Sequence, residues 1–295
     1  MKYIVVIIFL SFASPFLAQT KTTYTYNIKE KDTLKLDVYR PENIEVNTKL
    51  PTLLWMHGGG FSIGSRDYVD DAQLCGAVTK FGYIGISVSY RLLRTGSETQ
   101  FSCLCPKVDK IETFKQATID YLDAAAFVVE NAEMLNVDTT KIIAGGSSAG
   151  AEGILNSVYM KPYFVDNLNK YEDVKFAGVL SFAGAVVNAS YITKANALPS
   201  VLFHGTADQL VPFASAPHHL CDPEKPGYLM LDGSKIIAEK LDAFETSYYF
   251  KIVKGGMHEV AKIPMDELDE IFEFFEKTVL NSEVVQTKII KTKTL

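Results

Sequence analysis

The chain has 295 residues, 47% of them hydrophobic and 22% charged, with a formal net charge of -6. That length and apolar content suffice for a sizeable buried core. The modest acidic balance and the lack of any dense Lys/Arg cluster argue against a nucleic-acid partner.

At the N-terminus Lys2 precedes an apolar run over residues 3–17, and Ala18-Gln19 offers a cleavage point. This reads as an export signal over residues 1–18, leaving residues 19–295 as one domain, secreted or periplasmic. Ser11, Ser14 and Pro15 interrupt the run, which falls short of the ~20 apolar residues of a membrane span. No cysteine follows the cleavage point to carry a lipid, and no later segment is apolar enough to span a bilayer.

Next come "TTYTYNIK" and "TLKLDVYR", whose alternation around Lys31-Asp32 predicts an antiparallel hairpin. "LPTLLWM" is a continuous apolar run of the kind buried on both faces of a sheet, and it leads into the glycine-rich "HGGGFSIGS". A helix over residues 68–80, the strand "YIGISVSY", an irregular loop over 92–107 and a long amphipathic helix over 111–130 follow. The second half continues the alternation. "KIIAG", "FAGVLSFAG", "SVLFHG" and "SYYFKIVKG" read as strands; residues 149–160, 234–243 and "MDELDEIFEFFEKTVL" read as helices.

Such alternation predicts an α/β fold, a mostly parallel central sheet of about eight strands with helices on both faces. The final "QTKIIKTKTL" lacks a core pattern and is expected to fray. Two segments, 92–107 and 213–233, interrupt the alternation at the carboxyl edge of the sheet, where open α/β folds bind ligands.

Four cysteines in an exported chain suggest disulfides. Cys103 and Cys105 are too close in sequence to pair easily, so each would need Cys75 or Cys221, which leaves two of the three connectivities. A buried free thiol at Cys75 is the alternative. The minimal expectation is one bridge from Cys221 to the Cys103/Cys105 segment, stapling the two interrupting loops together. No Cys-x-x-Cys or paired-His spacing points to a metal.

"GGSSAG", residues 145–150, fits G-x-S-x-G with Ser148 at the centre. Small flanking residues allow a tight strand-to-helix turn that pushes the central hydroxyl clear of the sheet; Ser147 is out of register. A serine nucleophile needs a base, and the base an orienting carboxylate. Of the five histidines, His258 in "KGGMHEV" follows a strand at the carboxyl edge. His57 and His204 read as structural, His218 and His219 as solvated loop residues that could line a site. "HGTADQLVP" places Asp208 after another strand, with Asp222 and Asp232 as alternatives. Ordinary roles compete for Asp208, as a turn residue or helix cap. The "HGGG" loop, residues 57–60, could present backbone N–H groups to an oxyanion, with Ala149 supplying another. Phe61, Tyr90, Phe101 and Tyr228 fall in or beside loops that could line an acyl or alcohol pocket, with packing the competing role of each.

"HGGGFSIGS", "SYRL", "GGSSAGA", "HGTAD" and "GGMHE", in this order, resemble the α/β-hydrolase superfamily, and within it the carboxylesterase and hormone-sensitive-lipase-like group, including secreted bacterial carbohydrate esterases. The resemblance implies Ser148 as nucleophile, His258 as base and then acid, Asp208 as its orienter, and Gly59, Gly60 and Ala149 as oxyanion donors. It implies a carboxylic ester substrate, of small-molecule or carbohydrate type with acetyl or feruloyl esters of polysaccharides as candidates, and no cofactor. Two departures are visible. Ser147 stands where many relatives carry an acid, and no large helical cap is present. A peptidase of the prolyl-oligopeptidase type and a non-catalytic binding protein are the competing readings of the same fold.

Overall fold

A computed structural model describes residues 20–42, 44–45 and 48–293; the expected export signal over residues 1–18 lies outside them. In chain order the elements are β1 (Thr20–Lys29), β2 (Asp32–Arg40), β3 (Leu50–Met56), α1 (Val69–Ala77), β4 (Ile84–Val88), α2 (Lys107–Glu130) and the single turn α3 (Ala132–Leu135). They continue with β5 (Val137–Ser147), α4 (Ala149–Tyr159), the single turn α5 (Lys161–Phe164), β6 (Gly178–Phe182), β7 (Ala185–Val186) and β8 (Ser200–Gly205). The last are β9 (Ser215–Pro217), β10 (Met230–Gly233), α6 (Ser234–Ala243), β11 (Tyr248–Lys254), α7 (Leu268–Phe275) and β12 (Gln286–Thr292).

Among the described residues the main sheet has nine strands in the order β1-β2-β4-β3-β5-β6-β8-β11-β12. The β1–β2 and β2–β4 pairings are antiparallel, and every pairing from β4 to β12 is parallel. Within that parallel block β4 (IGISV) and β6 (GVLSF) are almost entirely apolar and buried at every residue, because both faces are covered. Alternation then sorts each strand between two cores. On β3, Leu54 and Met56 join a cluster with Phe114 and Tyr121 of α2, Ile154 of α4 and Ile237 of α6. Leu53 and Trp55 point the other way, into a cluster with Leu74 of α1 and Ile271, Phe272 and Phe275 of α7.

Two features of the sequence reading are corrected. The sheet has one strand more than the expected eight because the C-terminal segment does not fray: β12 runs parallel to β11 from Tyr248↔Gln286 to Lys254↔Thr292. Its alternating exposed and half-buried residues are those of an edge strand, with no buried stripe to announce it. The 213–233 loop is also more regular than expected. Within it β9 and β10 pair antiparallel, and β10 pairs with β7 from the loop after β6.

Parallel order fixes where the loops emerge. The carboxyl ends of β3, β5, β6, β8 and β11 all open on the same edge, and β5, β6, β8 and β11 are consecutive neighbours. Residues far apart in sequence but just past these ends therefore meet.

Because β12 caps the exposed ladder of β11, truncation of residues 286–295 should lower the thermal midpoint by several degrees and promote aggregation through the uncovered edge. Differential scanning calorimetry with light scattering checks this; an unchanged midpoint would show that the strand adds nothing.

Candidate active site

Ser148 sits at the crossing from β5 to α4 with φ 52° and ψ -125°, a left-handed conformation that a residue with a side chain adopts only under constraint. The constraint is local packing. A Cβ on Gly150 would lie 2.1 Å from the Met56 carbonyl oxygen, and one on Gly146 would lie 2.6 Å from the Gly150 backbone. Only glycines let α4 start this close to β3 and β5. The Ser148 N–H donates to the Phe182 carbonyl at the end of β6 (2.8 Å), which pins the turn.

The hydroxyl of Ser148 lies 2.7 Å from Nε2 of His258, and Nδ1 of His258 lies 2.8 Å from Oδ2 of Asp208. The first turn after β11 carries His258, and the loop after β8 carries Asp208. Burial alone would raise the Asp208 carboxyl, but hydrogen bonds from His204 and His258 hold it well below the usual carboxylate range. An ionised carboxylate only accepts, so Nδ1 of His258 carries the proton and Nε2 is free to accept from the Ser148 hydroxyl. The other Asp208 oxygen, Oδ1, accepts from the N–H groups of Leu210 (2.9 Å) and Val211 (3.1 Å). The ordinary turn role and the orienting contact are thus divided between the two oxygens of one carboxylate. Asp232 is engaged elsewhere, accepting from the Ala189 N–H (2.8 Å), and Asp222 is exposed.

Ser148 opens on a cleft of about 550 Å³ lined by Gly58, Gly59, Gly60, Ala149, Phe101 and His258 among others. Gly59 has φ +116°, and a Cβ there would be 2.0 Å from the Ile63 carbonyl oxygen. The loop is therefore folded back on itself, which turns its backbone toward the serine. Ala149 is the first residue of α4, where N–H groups have no partner within the helix. A second cleft of about 570 Å³ shares Gly58, Gly59, Ser147 and Ala261 with the first and runs toward Tyr68 and Asp71. Asp71 accepts from the Trp55 indole N–H (2.6 Å), and burial pushes its carboxyl up to about 6.

Phe61 and Tyr90, expected in the pocket, lie beneath it. Phe61 is fully buried and packs edge-on against Phe101 and Phe114. Tyr90, 4% exposed, stacks on His57 and donates its hydroxyl to the His57 carbonyl (2.9 Å). Both support the glycine loop from inside, Phe61 from within it at φ 57° and Tyr90 from the segment after β4. Phe101 does line the cleft, whereas Tyr228 turns its hydroxyl to Met230 Sδ (3.4 Å).

His218 also departs from expectation. It is 1% exposed rather than solvated, and with half-buried His219 it forms part of the cleft wall. Ser147, for which the sequence offered no role, donates to the Ala261 carbonyl (2.6 Å) and ties the β5 end to the turn that carries His258. Sequence reasoning missed Lys110 and Glu152. Lys110 sits in an amphipathic helix where a lysine reads as solvated, yet it is fully buried. Glu152 left a signal, a lone acid in the otherwise uncharged "AGAEGILNSVY".

A disulfide joins Cys103 to Cys221, and Cys75 and Cys105 are buried free thiols. Neither fully paired connectivity forms, because Cys75 packs in the core on the α1 side of the sheet and Cys105 in the core on the other. The bridge holds the 92–107 loop against the 213–233 loop, as the Gly227 N–H bond to the Cys103 carbonyl (3.0 Å) does. Among the described residues no group of His, Cys, Asp or Glu is placed to hold a metal, and no helix is long and apolar enough to cross a membrane.

The bridge spans a sequence separation of 118, so closing it restricts the unfolded chain strongly. Cys221→Ser should cost about 2–5 kcal/mol in denaturant unfolding; a loss below about 1 kcal/mol would mean that the loops hold without it. Burial lowers His57 and His219 to about 4, and holds His218 well below the usual imidazole range. Because the unfolded chain takes up those protons from about pH 6.5, stability should fall as pH drops from there toward 4. Urea midpoints at pH 7.5 and 4.5 check the sign.

The BD-FAE family model matches residues 36–186. Gut esterase 1 of Caenorhabditis briggsae is 31% identical over 172 residues, covering 58% of this chain and 28% of that protein. Secreted triacylglycerol lipase LIP1 of Gibberella zeae is 25% identical over 173 residues, covering 58% of this chain and 27% of that one. The chain thus spans less than a third of the length of these curated relatives. Among solved structures, the thermophilic esterase Est2 of Thermogutta terrifontis superposes with a TM-score of 0.63 at 17% identity, over 87% of this chain and 91% of that one.

Proposed function

The chain belongs to the BD-FAE family and has the α/β-hydrolase fold, and on that premise we propose that it hydrolyses carboxylic esters through an acyl-enzyme on Ser148. The observation that carries this reading is the hydrogen-bonded series from Ser148 through His258 to Asp208, with Gly59, Gly60 and Ala149 lining the cleft at the serine.

In the proposed reaction the Ser148 oxygen attacks the ester carbonyl while Nε2 of His258 takes its proton, and Asp208 stabilises the imidazolium that forms. The carbonyl electron pair moves onto oxygen and is met by backbone N–H groups of Gly59, Gly60 and Ala149. Collapse expels the alcohol, which leaves with the proton held on Nε2. Water then attacks the acyl group, gives a proton to His258, and the acid departs as Ser148 recovers its own. The two adjoining clefts offer room for the acid and alcohol parts of an ester.

Acetyl or feruloyl esters of plant or algal polysaccharides are the proposed substrates. Export supports this reading: Lys2 and the apolar run after it have the pattern of a signal, residues 19–295 would then act as one secreted or periplasmic domain, and one relative is named a secreted lipase.

The test uses a short-chain aryl ester such as 4-nitrophenyl acetate. Ser148→Ala should lower kcat by at least about 10³-fold. Ser147→Ala should lose far less rate and about 1 kcal/mol of stability, the worth of its bond to Ala261. Full activity in Ser148→Ala would overturn the assignment. Release of neither acetate nor ferulate from the polymers would remove the polysaccharide substrates.

A further inference from the structure

Beside Ser148 lies a second polar group that the proposed hydrolysis does not use. Lys110 on α2, His218 in the 213–233 loop and Glu152 on α4 are 0%, 1% and 2% exposed. Lys110 Nζ donates to the Gly227 carbonyl (2.9 Å) and to Nδ1 of His218 (3.2 Å). An ammonium has no lone pair to offer, so Nδ1 must be the acceptor and the ring proton sits on Nε2. That Nε2–H is 3.4 Å from Oε1 of Glu152. The approach falls short of a hydrogen bond, and Glu152 Oε1 is a buried oxygen without a hydrogen-bond partner among the described residues.

A buried acceptor left unpaired costs stability, and such a group in a native fold calls for an explanation. Here the explanation lies in the position. Glu152 and His218 both line the cleft that contains Ser148, and Glu152 is one helical turn after the serine, its N–H bonded to the Ser148 carbonyl (2.9 Å). Phe101 also lines this cleft, with its ring edge-on to His218 at 5.0 Å.

We propose that Glu152 and His218, the latter fixed in tautomer and orientation by Lys110, form a subsite that binds a hydroxyl group of the ester substrate. A hydroxyl accepts from Nε2–H and donates to Oε1 at once, which no purely donating or purely accepting group does. Charged groups fit poorly: a cationic amine would meet the Lys110 ammonium behind His218, and an anion would meet Glu152 with Asp208 nearby. Burial lowers His218 well below the usual imidazole range, so the ring between Lys110 and Glu152 is neutral. The Phe101 ring beside the polar pair offers an apolar face to the body that carries the hydroxyl. The substrate class is a hydroxylated ring ester, with the hydroxyl on either the acid or the alcohol side.

This inference rests on the ester-hydrolase reading, and its test separates the two. The quantity read is a selectivity ratio, kcat/KM for a hydroxylated ester over kcat/KM for its hydroxyl-free partner. One arm compares methyl 4-hydroxycinnamate with methyl cinnamate; the other compares a cyclohexanediol monoacetate with cyclohexyl acetate. In the wild type at least one ratio should exceed about 10, and the arm that does so identifies the side of the ester that enters the subsite. Glu152→Leu should bring that ratio down about tenfold, and Lys110→Met should lower it in the same direction by releasing His218. Should both variants fail to fold, the wild-type ratios remain decisive: values near 1 in both arms would overturn the subsite. Ratios unchanged by folded Glu152→Leu would also overturn it. A wild type that turns over none of the four esters would fail the ester-hydrolase reading itself, and the subsite with it.

Discussion

Everything at the carboxyl edge of the sheet depends on how closely α4 approaches β3 and β5. Side chains at positions 146 and 150 would collide with backbone, so glycines there permit a crossing in which Ser148 is held at positive φ. That strained turn lifts the serine hydroxyl clear of the strand ends and presents the first N–H groups of α4 beside it. The strain is held by the Ser148 N–H bond to Phe182 and by burial of nearly the whole of α4.

Parallel pairing does the rest of the positioning. Since β5, β6, β8 and β11 are neighbours in register, short loops after β8 and β11 deliver Asp208 and His258 to the same edge without long excursions. Only one side of the cleft uses long segments, and these are braced covalently by the Cys103–Cys221 bridge and noncovalently by the buried Lys110. Rigid backbone presents Ser148, Asp208 and His258, while the stapled loops shape the space in front of them.

Much of this arrangement was legible in the sequence. Apolar runs such as "LPTLLWM" announced buried parallel strands, and the glycine spacing around Ser148 announced the elbow. Ser148, Asp208 and His258 could be named because each follows a recognisable strand, and sequence position just past a parallel strand is enough to place a residue at the edge. What stayed hidden depended on side-chain direction within loops. Phe61 lies in the glycine loop and Tyr90 follows β4, yet both rings point under that loop into the core. His218 read as solvated because nothing in "APHHLCDPEKPG" reveals that Lys110, over a hundred residues away, is buried against it. β12 escaped notice because an edge strand bearing lysines carries little apolar pattern, and lysines on an edge are a means of discouraging further pairing.

The account stands or falls on whether Ser148 is a nucleophile activated through His258. Treating the protein with a fluorophosphonate and mapping the adduct by peptide mass spectrometry measures this directly. The account predicts one covalent adduct, on Ser148, formed far more slowly in His258→Ala. An adduct on Ser147 instead, labelling unaffected by loss of His258, or no adduct at all would contradict it.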